Sequence, residues 1–369
     1  MEDIMKKITS ILLLAAMCVT MLAGCGKSGD KEGTTAATTT TAATEATTEA
    51  TTEATTAATT ESTTEATEPV AEKIDISIAA LKGPTAIGMV KLMDDAKNGE
   101  TANNYNFTIA GAADEITGQL LKGDIQIAAV PSNLASTLYN KSNGGIKVAA
   151  INTLGVLYIV ETGESIQSVA DLKGKTIYST GAGTTPEYTL RYLLSAAGID
   201  PDKDVTIEYK SEATEVAALL TGAEDAVAML PQPYVTTVMM NNEKVRIALD
   251  VTAEWEAISE NGSSVVTGVV VVNTKFLEEN KEAFDAFLTE YEASAAYANE
   301  NVDDAAALVE EFGIFKAAVA KKAIPYCNVT FIQGDEMKEK LNGYLETLYE
   351  QKPESIGGAM PAEDFFYSK

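Results

Sequence analysis

The 369-residue sequence contains no histidine. Histidine is the commonest general base and the commonest metal ligand in proteins, so catalysis or metal binding that depends on imidazole is excluded. The cysteines Cys18, Cys25 and Cys327 form no Cys-x-x-Cys pair, which removes the usual pattern of zinc and thiol-redox sites. We therefore predict neither a metal ion nor a cofactor.

Positive charge is also scarce. The chain has 27 Lys and Arg against 54 Asp and Glu, a net charge of −27, and Arg191 and Arg246 are its only arginines. A basic face for nucleic acid is therefore not expected. An arginine clamp on an anion has few candidates, because bidentate pairing requires a guanidinium.

The first 24 residues predict a signal peptide. Lys6 and Lys7 precede an apolar run over residues 8–21, which is too short to favour a stable membrane span. The run ends in Leu22-Ala23-Gly24-Cys25, which resembles the lipobox of bacterial lipoproteins. That resemblance implies cleavage before Cys25 and attachment of lipid to it. The alternative is an ordinary signal peptide followed by a chance cysteine.

Residues 25–72 form a linker rich in Thr, Ala and Glu. The segment has almost no large apolar side chains, so it cannot bury enough surface to offset the entropy of ordering, and we predict disorder. Its threonines fit either a glycosylated stalk or a plain spacer. In both cases the linker tethers a soluble body near a membrane.

From Lys73 onward, β-branched runs alternate with amphipathic helical segments, a pattern typical of parallel sheets with crossover helices. After residue 272 the chain is predicted to be mostly helical, and these helices cover the first sheet. Strands are predicted at residues 74–80, 105–110, 125–130, 147–151, 156–161, 176–179, 205–209, 225–229, 245–249 and 265–272.

The chain is longer than one core usually holds, so two lobes are expected. It is predicted to cross into the second lobe near residues 161–165 and to return near residues 266–272. Lobe 1 then comprises residues 73–162 and 268–369, and lobe 2 comprises residues 163–267. The predicted fold class is α/β, with mostly parallel sheets flanked by helices and a two-strand hinge beside a cleft.

The stretch Lys175–Leu194, KTIYSTGAGTTPEYTLRYLL, predicts a short strand, a turn at Gly181 and Gly183, and a helix. Thr185 is predicted as the N-cap and Pro186 as the first helical residue. The glycines leave the free N–H groups at the helix start uncovered, and such an end attracts a small anionic or polar group.

Four stretches resemble the type II periplasmic-binding-protein family, in its nitrate, sulfonate and thiamine-precursor group. They are LKGPTAIGMVKLM, AVPSNLAS, SVADLKGKTIYSTGAGTTPEYTLRYLLSAAGID and AVAMLPQPYVT. The resemblance covers about residues 73–349. It implies a monomeric, non-catalytic receptor outside the cytoplasm. Such a receptor captures a small solute between closing lobes and delivers it to the permease and ATPase of an ABC importer.

The turns that follow the predicted strands form the candidate site, where backbone N–H groups and short polar side chains would bind the solute. For each residue the alternative is a structural role as a helix cap. The candidate ligand-binding residues are Gly83, Pro84, Thr85, Ser132, Asn133, Gly181, Gly183, Thr184, Thr185, Tyr188, Gln232 and Tyr234.

Several side chains near these turns have two interpretations. Tyr188 and Tyr234 fit either stacking on a flat solute or core packing. Glu187 fits either the dipole of its own helix or a cationic solute. Lys82 could pair with an anionic solute or could be an ordinary surface lysine. Trp255 could lie at the rim of the cleft or could pack inside lobe 2.

An exported enzyme on the same fold and a surface sensor or adhesion protein are the alternative functions. An enzyme needs an acid, a base or a nucleophile, and Glu187 is the only carboxylate on the predicted turns. Cys327 falls in the helical C-terminal part and is predicted to be an inert packed thiol. We therefore predict that the protein is not an enzyme.

Overall fold

The computed structural model describes residues 72–259 and 261–368. Within these ranges the chain forms eleven β-strands and thirteen α-helices. The predicted signal peptide, Cys25 and nearly all of the linker lie outside the described residues. In the described part of the chain, no helix is long and apolar enough to cross a membrane.

Each predicted strand is present, with its ends shifted by at most a few residues. The strands are β1 (Asp75–Leu81), β2 (Asn104–Ala110), β3 (Ile127–Pro131), β4 (Ile146–Leu154), β5 (Leu157–Thr162), β6 (Thr176–Ser179), β7 (Thr206–Tyr209), β8 (Val227–Pro231), β9 (Val245–Asp250), β10 (Val266–Asn273) and β11 (Val329–Ile332). The helices are α1 (Pro84–Ile87), α2 (Val90–Asn98), α3 (Asp114–Lys122), α4 (Ser132–Ser142), α5 (Thr185–Ala196), α6 (Ala213–Gly222), α7 (Tyr234–Asn241), α8 (Val251–Ile258), α9 (Thr274–Glu279), α10 (Lys281–Glu300), α11 (Val302–Glu311), α12 (Ala317–Ala323) and α13 (Gly334–Gln351).

The first sheet has the strand order β11-β4-β10-β3-β1-β2. Strand β1 is parallel to β2 and β3, whereas β10 runs antiparallel to β3 and β4. The side chains of Val269 to Val272 in β10 are fully buried on both faces of the sheet. Helix α10 covers one face with the buried rings of Phe284, Phe287 and Tyr291, as the helical C-terminal part was predicted to do.

The second sheet has the strand order β7-β6-β8-β5-β9. Strand β6 is parallel to β7 and β8, and β5 is antiparallel to β8 and β9. Both sheets are therefore mixed, in contrast to the mostly parallel sheets that were predicted. The strands next to the two crossovers, β5 and β10, run against their neighbours because the chain enters each sheet from the other one.

The position of the first crossover corrects the predicted lobe boundary. The strand over residues 156–161 was assigned to lobe 1, yet β5 pairs only with β8 and β9 of the second sheet. The chain therefore crosses at residues 155–156, before β5 rather than after it. A fully buried β-branched run has the same appearance in either sheet, so its sequence did not distinguish them. Strand β10, near which the chain was predicted to return, pairs with β3 and β4 of the first sheet.

Two elements were not predicted. Strand β11 adds an edge to the first sheet by pairing with β4, within a region predicted to be helical. Helix α8 follows β9 directly, and the Asp250 carboxylate caps it by accepting from the N–H groups of Thr252 and Ala253. With only four residues in β11, its β-branched signal was too short to separate from the helices around it.

The first crossover requires a glycine. A Cβ atom at Gly155 would lie 1.8 Å from Thr252 Oγ1 at the start of α8. The Gly155 carbonyl accepts from the Asn328 side chain, and the Leu154 N–H donates to the Asn328 carbonyl at 3.2 Å. The crossover between the two sheets is thus hydrogen-bonded to Asn328 and packed against the start of α8. The absence of a side chain at Gly155 makes the contact with α8 possible.

We predict that Gly155→Ala lowers the free energy of unfolding by about 1–3 kcal/mol, because an added methyl group overlaps Thr252. The double substitution Gly155→Ala/Thr252→Ala should recover part of this loss, since Thr252 Oγ1 is the nearest atom. Urea unfolding of the purified variants measures both effects.

Gly118→Ala is the matched control for this experiment. Gly118 lies inside α3, and no neighbouring atom comes within 4 Å of the place that an added methyl group would occupy, so alanine should be neutral or slightly stabilising there. Equal stability of the Gly155 and Gly118 variants would contradict the assigned role of Gly155.

Candidate functional site

A cavity of about 590 Å³ lies between the two sheets. Its walls come from the loops after β1, β2 and β3 of the first sheet and after β6, β7 and β8 of the second. In open α/β sheets ligands bind beyond the carboxyl ends of the strands, and this cavity has that position in both lobes at once. The loops from the two sheets therefore face one shared space.

Eight of the twelve predicted site residues line this cavity. They are Gly83, Pro84, Thr85, Gly181, Gly183, Thr184, Thr185 and Tyr234. The other four, Ser132, Asn133, Tyr188 and Gln232, are absent from its lining. The lining also includes apolar side chains such as Leu81, Leu134 and Leu157, which give the walls a largely apolar character.

Ser132 and Asn133 join the two lobes instead of facing the cavity, and both are completely buried. Asn133 Nδ2 donates to the carbonyl of Ser355 at 2.8 Å in lobe 1 and to that of Gly183 at 3.3 Å in lobe 2. Thr185 Oγ1 donates back to Asn133 Oδ1 at 3.2 Å. The Ser132 hydroxyl donates to the Val266 carbonyl. The start of α4 is therefore bonded directly to the start of α5.

The C-terminal residues position α4 for this contact. Ser136 donates to the Ile356 carbonyl at 2.9 Å, and Asn140 donates to the carbonyls of Ile356 and Ala359 at 3.0 and 2.7 Å. Gly357 lies so close to α4 that a Cβ there would be 2.9 Å from the Thr137 Cα. The segment after α13 thus fixes the helix that carries Asn133.

Gln232 is also structural. Its side-chain Oε1 accepts from the N–H and hydroxyl of Thr236 at 3.2 and 2.8 Å, and the Gln232 N–H donates to the Val156 carbonyl at 3.0 Å. The peptide bond between Gln232 and Pro233 is cis.

Tyr188 is half-buried and packs against the apolar core.

Tyr234 is both a wall of the cavity and a packed residue, and stacking of its ring on a solute stays a prediction. It lines the cavity, and its ring packs edge-on against Phe315 of the other lobe with centroids 4.9 Å apart. Burial, with a smaller contribution from the charge of Glu212, raises the pKa of Tyr234 to about 12. Its hydroxyl group is therefore protonated at physiological pH and presents a neutral donor.

The start of α5 differs from the prediction in one respect. Thr184 rather than Thr185 is the N-cap residue, and its hydroxyl donates to the Gly181 carbonyl at 2.7 Å. The Gly183 N–H donates to Glu187 Oε2 at 2.7 Å, and Arg191 Nε donates to the other oxygen of that carboxylate at 2.8 Å. Glu187 thus serves its own helix, and the protein itself supplies the anion that this turn attracts.

Four charged residues line the cavity, two of each sign: Lys82, Asp114, Lys210 and Glu212. Lys210 Nζ lies 3.0 Å from Glu208 and 5.5 Å from the centre of the Tyr178 ring. Lys82 Nζ lies 6.0 Å from the centre of the Phe315 ring. The formal charges of the lining cancel, so the cavity has no surplus of positive charge.

Neither arginine lines the cavity. Arg191 is paired with Glu187 and Asp202, and Arg246 is paired with Glu161. Glu161 is 2 % exposed and also accepts from Ser165 and Ile166. Burial alone would raise the pKa of Glu161, but these hydrogen bonds and Arg246 outweigh it and lower the pKa. Both guanidinium groups therefore support lobe 2 itself.

Trp255 and Cys327 are packed residues. Trp255 is fully buried between Tyr192 of α5 and Tyr344 of α13, with ring centroids 4.3 and 5.1 Å away, and its Nε1–H donates to Ser263. Cys327 is fully buried, and burial raises the pKa of its thiol. Among the described residues no group of His, Cys, Asp or Glu is arranged to hold a metal ion.

The sequence did not indicate two of the residues that line the cavity. Thr153 on β4 and Thr267 on β10 lie beside the crossovers between the lobes, and their hydroxyl oxygens are buried without a hydrogen-bond partner among the described residues. In the sequence they are β-branched residues within strand runs. No local signal separates such a threonine from one that only packs.

The comparisons with known proteins agree with this geometry. Residues 135–305 match the family model described as NMT1/THI5 like. An ABC transporter structure from Parabacteroides distasonis is 24% identical, covers 80% of this chain and 99% of its own, and has a TM-score of 0.66. No curated protein matches the chain.

Two further solved structures have informative names. The periplasmic aliphatic sulphonate binding protein SsuA from Escherichia coli is 16% identical, with 80% of this chain and 92% of that one covered and a TM-score of 0.62. The periplasmic nitrate-binding protein NrtA from Synechocystis PCC 6803 is 13% identical, with 72% and 75% covered and a TM-score of 0.53. Residues 135–305 are therefore similar to the NMT1/THI5-like family, and the described body has the fold of these solved proteins, the type II periplasmic-binding-protein fold.

Proposed function

We propose that this protein is the solute-binding component of an ABC importer, located outside the cytoplasm. One observation carries the proposal: a single cavity is walled by loops from both lobes, and the lobes are joined by two chain crossovers. A solute in such a cavity contacts both walls, and these contacts favour closure of the lobes around it. Binding and release by lobe movement suit a receptor that transfers its solute to a permease and its ATPase.

The size and lining of the cavity support a small organic solute. A volume of about 590 Å³ is typical of small-molecule sites, which are mostly apolar with a few polar groups that fix orientation. Sulfonates, nitrate-like anions and thiamine-precursor or pyrimidine-like compounds are the first classes to test. The names of the structural neighbours support the first two.

The lining favours binding over catalysis. It contains neither histidine nor cysteine, and its carboxylates, Asp114 and Glu212, are exposed at the edge of the cavity. General acid–base catalysis usually relies on a group that burial or a neighbouring charge has tuned for its task. We propose a non-catalytic and monomeric receptor.

We expect one class of compound in a thermal-shift screen of sulfonates, pyrimidines, carboxylates and amines to raise the melting temperature by several degrees. A ligand at one hundred times its dissociation constant stabilises a protein by about 2.7 kcal/mol. Isothermal titration calorimetry should then give one site per chain. No shift with any class, at millimolar concentrations, would contradict the proposed function.

The bonds of Asn133 predict a role in closure. Asn133→Ala removes one contact within lobe 1 and two contacts to lobe 2. We expect the variant to populate a more open arrangement, with a larger radius of gyration in small-angle X-ray scattering. Its affinity for the solute identified in the screen should fall by about 10-fold, because the loss of one or two buried hydrogen bonds costs about 1–3 kcal/mol.

Asn140→Ala is the matched control, since this residue lies on the same helix and its amide donates only to lobe 1 carbonyls. That variant should lose stability while its radius of gyration and solute affinity stay unchanged. If the two variants gave the same scattering curve and the same affinity, Asn133 would not act in closure.

We also propose that lipid on Cys25 holds the protein at the cell membrane through the linker. The sequence Leu22-Ala23-Gly24-Cys25 supports this proposal. Cys25→Ser should move the protein from the membrane fraction to the soluble fraction of the producing bacterium, as measured by fractionation and immunoblotting. The control Cys327→Ser should remain with the membranes. A Cys25 variant that stays membrane-bound would exclude lipid attachment at this residue.

A further inference from the structure

Two hydroxyl groups of residues that line the cavity have no hydrogen-bond partner in the described part of the chain. Thr153 is fully buried, and the hydroxyl oxygens of Thr153 and Thr267 are each enclosed without a hydrogen-bond partner among the described residues. Thr153 lies opposite Gly268 in the β4–β10 pairing, and Thr267 precedes Gly268 in sequence. The two threonines are therefore neighbours on adjacent strands.

Three other threonine hydroxyls in the lining are paired within the protein. Thr85 donates to the Leu81 carbonyl at 2.9 Å, Thr184 to the Gly181 carbonyl at 2.7 Å and Thr185 to Asn133 at 3.2 Å. Buried polar groups in native proteins nearly always have a partner, so these two hydroxyls, together with the equally unpaired amide of Asn152 next to Thr153, require an explanation. A polar group of a bound molecule supplies one.

The surroundings determine the charge of that group. The charged lining residues Lys82, Asp114, Lys210 and Glu212 are half-buried or exposed, whereas the hydroxyls of Thr153 and Thr267 are buried and have no hydrogen bond to a charged group among the described residues. An ion placed against two hydroxyl groups in an apolar interior would lose its hydration without a counter-charge. An amide, alcohol or ring carbonyl would lose far less and would satisfy both hydroxyls.

We propose that Thr153 and Thr267 bind an uncharged polar group of the solute. This assignment rests on the proposed function and narrows its solute class to molecules with a neutral hydrogen-bonding end. Any charged end lies toward Lys82, Asp114, Lys210 and Glu212. Because the two threonines belong to the strands beside the crossovers, this part of the solute binds where the two lobes meet.

The first test needs no solute. Thr153→Val and Thr267→Val replace an unpaired buried hydroxyl with a methyl group of similar shape, so the urea unfolding midpoint should stay unchanged or rise. Thr85→Val is the matched control, because it removes a paired hydroxyl from the same cavity, and its midpoint should fall. If the unfolding midpoints of both the Thr153 and the Thr267 variants fell as far as that of the Thr85 variant, the hydroxyls would stabilise the folded protein. That result would overturn the proposal.

The second test uses benzamide and benzoate, which have the same shape and differ in charge. With the wild-type protein, benzamide should raise the melting temperature more than benzoate at equal concentration. In the Thr153→Val/Thr267→Val double variant, benzamide should bind at least fivefold more weakly and lose this advantage.

A larger shift with benzoate, a double variant that keeps its preference for benzamide, or no shift with either compound would each overturn the assignment. These failures differ from failure of the proposed function. A receptor that prefers benzoate still binds a solute in this cavity, so the proposed function would stand. The absence of any ligand in the broad screen would instead contradict the proposed receptor function.

Discussion

The close approach of the backbone at Gly155 to the side chain of Thr252 is the constraint on which the two-lobed arrangement depends. It lets the chain leave β4 in one sheet and enter β5 in the other within two residues. So short a crossover restricts the orientation of one sheet relative to the other. The carboxyl ends of their parallel strands consequently face each other, and the loops that follow them enclose a common cavity.

Local sequence signals predicted the positions of the elements but not always the sheet that each joined. The runs that became β5 and β10 were recognised from their β-branched residues, and pairing partners distant in sequence decided where they belonged. Strand β11 has only four residues among helices, so its pattern was ambiguous. Trp255 had two interpretations because burial between α5 and α13 depends on tertiary packing that no short segment encodes.

The candidate site shows the same division between local and distant information. Glycine-containing turns at helix starts are local features, and these turns do surround the cavity. The roles of Asn133 and Glu187 depend on partners: one bridges the lobes, and the other supplies a carboxylate to its own helix start. Which lining residues contact a solute stays a prediction. The balanced charges of the lining nevertheless shift the expected recognition from ion pairing to hydrogen bonding and shape.

The bonds between α4 and the residues after α13 also affect the order in which the protein can become functional. The Asn133 amide donates to a carbonyl 222 residues later in the chain, and Ser136 and Asn140 have similarly distant partners. A chain still emerging from the ribosome lacks these partners until residues 355–359 have been made. The packing of α4 is therefore completed only after most of the body has been made, a delay that fits the location outside the cytoplasm proposed above.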